Sequence, residues 1–147
     1  MLVKEIMSPF VATISENAGL KEAAREMHER DIGCLLVSEN DWLTGIVTDR
    51  DITCKGVADG MDIDAMIVRD VMSKDITWCR ENEDIEDAIR LMEKRQVRRL
   101  PVLDDEKNLV GILTVGDIST QLSHELSGEV IEAVSMSSHN KYPVSVS

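Results

Sequence analysis

The chain has 147 residues, 28 of them acidic and 16 basic, for a formal net charge of −12. A surface of that sign repels nucleic acid and anionic lipid at long range, and one Phe, one Tyr and two Trp are too few for a base-stacking surface. The three scattered cysteines, Cys34, Cys54 and Cys79, fit reduced thiols better than a disulfide framework, so a cytoplasmic location is expected.

The opening stretch MLVKEIMSPF lacks the apolar core of a secretion signal, and apolar runs such as Cys34 to Val37 are strand-sized, too short to span a membrane. Within that stretch, VKEIMS at 3–8 returns as VRDVMS at 68–73, 65 residues on. Leu20, Ala23, Ala24 and Met27 recur at i, i+3, i+4 and i+7, which predicts a helix with one buried stripe. Next comes a short apolar run, IGCLLV at 32–37, the polar turn SEND, and a second run, LTGIV at 43–47. Two such runs across a tight turn predict a hairpin. A helix then begins at T-x-x-D, and KGVADGMDIDAMI reads as a linker into which some helix continues.

The second half repeats this order. Ile85, Ala88, Ile89 and Met92 form the matching stripe, VRRLPVL at 97–103 and LVGIL at 109–113 the matching hairpin, and GILTVGD at 111–117 answers GIVTDRD at 45–51 after 66 residues. The extra residue falls in the turn LDDEKN. The expected fold is α+β: two pseudo-symmetric repeats, 1–62 and 63–125, each β-α-β-β-α, packed sheet to sheet around a shared core, since a unit of about 60 residues is marginal alone. The remainder, 126–147, is expected to hold a short helix in EVIEAVSM followed by a fraying polar tail.

The T-x-x-D segments admit two readings. Thr at a helix N-cap with an acidic residue three positions on is close to a capping box, which satisfies orphan amides and places negative charge at the positive helix end. The same geometry suits a ligand. Free amides at a helix start favour phosphate, a Thr hydroxyl bonds phosphate or ribose oxygens, and a carboxylate accepts both hydroxyls of a diol. Gly45 and Gly111 would let a ligand or a neighbouring strand approach closely.

Taken together, the doubled G-h-h-T-x-x-D segments (Gly45–Asp51 and Gly111–Asp117), the VRRLP strand at 97–101 and the register of the whole repeat resemble a cystathionine-β-synthase (CBS) domain pair, or Bateman module. Within that family the chain is similar to small stand-alone pairs of the hypoxic-response type. The likeness covers about residues 3–122, and Leu36 stands in the first copy where the family usually has Pro. The resemblance implies an adenine-nucleotide site (AMP, ADP, ATP or NAD) at the seam of each repeat. Thr48 and Asp51, and again Thr114 and Asp117, would hold ribose and phosphate. Strand-start residues around Thr13 and Ile76 would contribute backbone groups. Ile32, Cys34, Val97, Arg98, Arg99 and Pro101 would close the adenine pocket. It also implies a homodimer and a downstream protein partner that reads a ligand-driven change in packing.

Basic residues bear on the phosphate. Lys94, Arg95, Arg98 and Arg99 lie within six residues, and neighbours on a strand point to opposite faces, so one of Arg98 and Arg99 is expected to face the cleft. Arg50 lies inside the first T-x-x-D and Lys55 one turn on, whereas Gly116 replaces Arg50 in the second copy. The first cleft is therefore expected to be better equipped for phosphates. His28, His124 and His139 show no metal-ligand spacing, and no nucleophile–base set stands out, so no metal, catalytic cofactor or enzyme activity is expected. The alternative to a nucleotide sensor is a ligand-free dimeric adaptor in which T-x-x-D only caps helices.

Overall fold

The computed structural model describes residues 1–9, 11–60, 62–122 and 128–135. In chain order its elements are α1 (Val3–Ile6), β1 (Thr13–Ile14), α2 (Leu20–Arg30), β2 (Cys34–Glu39), β3 (Trp42–Thr48), α3 (Asp49–Asp51, continuing as a π-helix over Ile52–Val57), a 3-10 turn (Val68–Asp70), β4 (Cys79–Arg80), α4 (Ile85–Arg95), β5 (Arg99–Leu103), β6 (Leu109–Thr114) and α5 (Val115–Gln121). A further helix, α6, spans 128–135, where EVIEAVSM predicts one; the polar tail expected after it lies outside the described residues. The chain divides into two compact units: Val11–Ile76, termed the early unit, and Met1–Phe10 with Thr77–Ser147, the late unit.

Each unit is the expected α+β arrangement. Its three-stranded sheet has the order β1-β2-β3 or β4-β5-β6, with the first pair parallel across a helical crossover and the second an antiparallel hairpin. The repeats agree in small details. Helices α2 and α4 both end on a non-glycine residue in the left-handed region, Asp31 (φ 53°) and Gln96 (φ 56°). Irregularities fall at Val37/Ser38 in one hairpin and Val102/Leu103 in the other.

The repeated VKEIMS and VRDVMS segments account for the two glycines. Ser73 exchanges backbone hydrogen bonds with Ile46, at 2.8 and 3.0 Å, and Ser8 does the same with Ile112, at 2.9 Å each way. Each segment thus covers the outer edge of a hairpin, whose unpaired amides would otherwise be open to pairing with another chain. A Cβ on Gly45 would lie 2.8 Å from Met72 Sδ and 3.0 Å from Ser73 O, and one on Gly111 would lie 2.6 Å from Met7 Sδ and 2.8 Å from Ser8 O. Of the two close approaches that these glycines could serve, the structure shows the neighbouring segment.

These pairings cross the sequence period. VKEIMS stands at the head of the first repeat but joins the sheet of the second, and VRDVMS joins the sheet of the first. The interior follows the units. Val3 and Ile6 belong with Ile85, Met92, Leu100 and Leu113 in one apolar cluster; Val68, Val71 and Met72 belong with Leu20, Met27, Leu35 and Val47 in the other. Each unit thus holds an apolar cluster of its own. A borrowed segment supplies the apolar area that a repeat of about 60 residues lacks on its own.

One helical stripe departs from expectation. In α4, Ile85, Ala88, Ile89 and Met92 are all buried. In α2 only Leu20, Ala23 and Met27 are, and Ala24 is exposed. Alanine carries too little apolar area to force its side of a helix inward.

Candidate functional site

Both T-x-x-D segments sit where the last strand of a hairpin turns into a helix. Thr48 and Thr114 have extended backbones (φ −119°, ψ 162° and φ −120°, ψ 161°) and act as N-caps. Thr48 Oγ1 accepts from the Asp51 amide at 3.1 Å while Asp51 Oδ2 accepts from the Thr48 amide at 3.0 Å. Thr114 and Asp117 repeat this at 3.1 and 2.9 Å, and the Thr114 hydroxyl also donates to Asp117 Oδ2 at 3.0 Å. The capping box is therefore formed in both copies, and each carboxylate folds back onto its own helix start. In each box the bonds that the carboxylate accepts end on Oδ2, and a carboxylate offers two oxygens. All four residues are half-buried, so solvent still reaches them.

Strand register sets the next neighbours. Cys34 stands opposite Thr48, and Arg99 stands opposite Thr114. Cross-strand partners lie side by side on one face of the sheet. Around the early box the cation comes from the helix: Lys55 Nζ lies 3.5 Å from Asp51 Oδ1 and donates to Val71 O at 3.3 Å. The late counterpart is Gln121, whose Nε2 donates to Ile6 O at 3.1 Å. Val71 and Ile6 are themselves equivalent under the repeat, so one backbone carbonyl is capped by an ammonium in one unit and by an amide in the other. Arg50 is exposed on the early helix start, and Gly116 takes its place in the late one.

The remaining sequence-predicted residues are less tightly gathered. Thr13 is exposed on β1, with Leu36 as its register partner; Ile32, Ile76 and Val97 are half-buried, and Pro101 is buried on β5. Strand β5 begins at Arg99, so Arg98 precedes it and the alternation argument does not reach Arg98. Arg98 takes part through its carbonyl, which accepts from the Val115 amide at 3.1 Å, as the Gly33 carbonyl accepts from Asp49 at 3.0 Å. Both arginines are exposed. The sequence reading missed that Met7–Ser8 and Met72–Ser73 lie against the glycines of the two motifs. The recurrence of MS at a fixed offset was the available signal.

A cavity of about 360 Å³ in the early unit is lined by Ala24, Met27, His28, Asp31, Ile32, Asp49, Ile52 and Thr53. Of the predicted site residues it takes only Ile32. Among the described residues no group of three His, Cys, Asp or Glu is arranged to hold a metal ion, and no helix is long and apolar enough to cross a membrane.

Comparison with known proteins bears on the family and the fold. The sequence model of a family described as "CBS domain" matches residues 3–55 and 68–124. The chain is 40% identical over 134 residues to the CBS domain-containing protein YhcV of Bacillus subtilis, covering 90% of this chain and 94% of that one. It is 35% identical over 132 residues to hypoxic response protein 1 of Mycobacterium tuberculosis, covering 89% and 92%. Among solved structures it resembles the CBS domain pair of MJ0100 in complex with 5-methylthioadenosine and S-adenosyl-L-methionine (TM-score 0.70, 28% identity, 82% of this chain and 94% of that one). It also resembles CBSX2 in complex with AMP (TM-score 0.70, 27% identity, 81% and 93%).

Proposed function

The chain belongs to the CBS-domain family and carries the domain twice, and from that premise we propose that it is a regulatory sensor of adenine nucleotides that acts as a homodimer. The ligand is an adenosine-bearing molecule: AMP, ADP, ATP, NAD or, following the contents of the MJ0100 structure, S-adenosylmethionine. Asp51 and Asp117 accept the ribose hydroxyls, and Thr48 and Thr114 contribute their hydroxyls. Cys34, Ile32 and Thr13 flank the early box; Val97, Pro101 and Ile76 flank the adenine in the late one.

The observation that carries this reading is the doubled box. The same Thr and Asp take the same half-buried geometry in both units, and relatives of like fold are named as complexes with adenosine-bearing ligands. Cations give each box a different phosphate contact: Lys55 and Arg50 from the helix in the early unit, Arg99 from the strand in the late one, beside Arg98. Binding changes signalling only if the ligand favours one of two arrangements over the other, and a protein partner then reads the difference.

Calorimetric titration with AMP, ATP, NAD and S-adenosylmethionine tests the proposal. At least one is expected to bind below a dissociation constant of about 1 mM. Binding by none would favour a second reading, a ligand-free dimeric adaptor, for which the complete capping bonds at Thr48–Asp51 and Thr114–Asp117 speak directly.

A further inference from the structure

The corner where the long helix gives way to the hairpin carries opposite charge in the two repeats. In the late unit Lys94, Arg95, Arg98 and Arg99 are all exposed. The whole chain has a net charge of −12, yet none of these four side chains pairs with a carboxylate among the described residues. Lys94 and Arg95 offset the negative end of α4. Arg98 and Arg99 lie beyond the left-handed cap at Gln96, where the helix end does not account for them. At the same corner of the early unit the equivalents are Glu29, Arg30, Gly33 and Cys34. There Arg30 is taken by Glu26, at 2.9 Å, and the cap is Asp31 in place of Gln96. The shared fold therefore does not require the late cations.

We infer that this late corner is where the protein partner of the function proposed above docks, through an acidic segment of the partner's own chain; the inference rests on that part of the proposal. Reach and charge choose the occupant. Six residues of chain span at most about 20 Å, and a helix end and a turn shorten that here. Exposed charges attract chiefly within a Debye length, about 8 Å at physiological salt. A nucleic acid or an anionic membrane is broader than the corner, and brings most of its phosphates against the acidic remainder of the surface. A flexible run of Asp and Glu advances about 3.3 Å per residue and fits inside the corner, where guanidinium groups can take carboxylates through paired hydrogen bonds. Arg99 links this surface to the box. It stands opposite Thr114 across the hairpin, so a partner carboxylate and a ligand phosphate compete for the same cation. Partner and phosphorylated ligand therefore oppose one another, each weakening the other by the same factor. The early box has Cys34 at that register position and carries no such link.

Fluorescence anisotropy with a labelled oligo-aspartate of about six residues tests this. Wild type is expected to bind the peptide, and less tightly as salt is added. The double variant Lys94→Glu, Arg95→Glu, at exposed helix-end positions, is expected to weaken the peptide about 30-fold or more, while its circular dichroism and its titration with ATP match wild type. At fixed ionic strength ATP is expected to displace the peptide from wild type, and adenosine, which lacks phosphate, to leave it bound. No peptide binding, a peptide indifferent to the double charge reversal, a peptide that ATP does not weaken in protein that binds ATP, or tighter binding of a single-stranded oligonucleotide of equal charge or of anionic vesicles would each overturn the assignment. Calorimetry with ATP alone reads the nucleotide site separately. Protein that binds the peptide through Lys94 and Arg95 but binds no nucleotide would remove the ligand reading and leave the docking surface standing.

Discussion

The early and late units share most of their backbone plan and differ in what surrounds it. Both have the same sheet order, the same left-handed helix ends, the same borrowed Met-Ser segment against a glycine, and the same Thr–Asp box. They differ at many side chains, among them Ala24 against Ile89, Lys55 against Gln121, Cys34 against Arg99 and Ile14 against Cys79. The shared parts build the fold. The unshared parts decide what each unit presents to solvent, to a ligand and to another chain.

The largest contrast is expected in the cores. Met92 is fully buried as part of a four-residue stripe and in one cluster with Val130 and Val134 of α6, whereas Met27 is 5% exposed and borders the cavity. Truncation of a buried Met to Ala costs about 2–5 kcal/mol, more where the site cannot collapse or fill. Met92→Ala is expected near the top of that range and Met27→Ala near the bottom, because water already reaches the hollow beside Met27. Denaturant unfolding of the two variants checks this; equal losses would mean that the early face is as closed as the late one.

The glycines sharpen the comparison from the other side. A Cβ at residue 111 meets Met7 Sδ at 2.6 Å and Ser8 O at 2.8 Å, closer than residue 45 to its neighbours at 2.8 and 3.0 Å. Methionine can swing away, but a backbone carbonyl moves only with its strand pairing. Gly111→Ala and Gly45→Ala are each expected to destabilise by about 1–3 kcal/mol, the usual range for overpacking, with Gly111→Ala the worse. Unfolding melts that show either change to be silent would remove close approach as the reason for the glycine.

At the boxes the units should diverge in binding more than in stability. Asp51→Ala and Asp117→Ala each remove a cap and are expected to lower stability by about 0.5–2 kcal/mol, and each is expected to abolish one nucleotide site. Lys55→Gln converts the early box to the late pattern and is expected to weaken ATP about tenfold, by roughly 1.4 kcal/mol, while leaving adenosine unchanged. Arg99→Cys does the same for the late box. Titration of all four variants decides the matter; stability losses with binding intact would leave capping as the whole role of T-x-x-D.

Much of this was legible in the sequence because it is local and repeated. The helices announced themselves through 3.6-residue stripes, the hairpins through paired apolar runs, and the caps through Thr and Asp three apart. Other features are set by distant contacts that no local period records. Ser8 pairs with Ile112 and Ser73 with Ile46, so VKEIMS belongs in space to the repeat that does not contain it. Ala24 sits at a stripe position, but its small side chain leaves the outcome to whatever packs nearby. The sequence shows Arg50 facing Gly116, yet the cation opposite Thr114 comes from Arg99 through strand register. The late box is therefore less bare than the comparison of helix starts suggests.

The smallest contrast concerns one buried slot at the start of each sheet. Ile14 fills it on β1, and Cys79, 1% exposed, fills it on β4. Burial, with a smaller contribution from the Glu83 carboxylate, pushes the Cys79 thiol up to about 12. An unfolded thiol ionises near 8.5. Below that pH both states keep the proton, and the stability tied to this group is fully present. As pH rises between the two values the unfolded chain ionises first, so stability is lost progressively through that window. The slope is about 1.4 kcal/mol per pH unit at most, which gives a loss of about 2 kcal/mol by pH 10. Cys79→Val keeps a buried apolar side chain there, and the larger Ile14 in the equivalent slot indicates that the fold accepts one. The difference in unfolding free energy between wild type and Cys79→Val should therefore be flat up to about pH 8 and then move in favour of the variant. Parallel profiles across the whole range would show that the Cys79 thiol ionises as readily folded as unfolded, and that the slot is less sealed than its Ile14 counterpart.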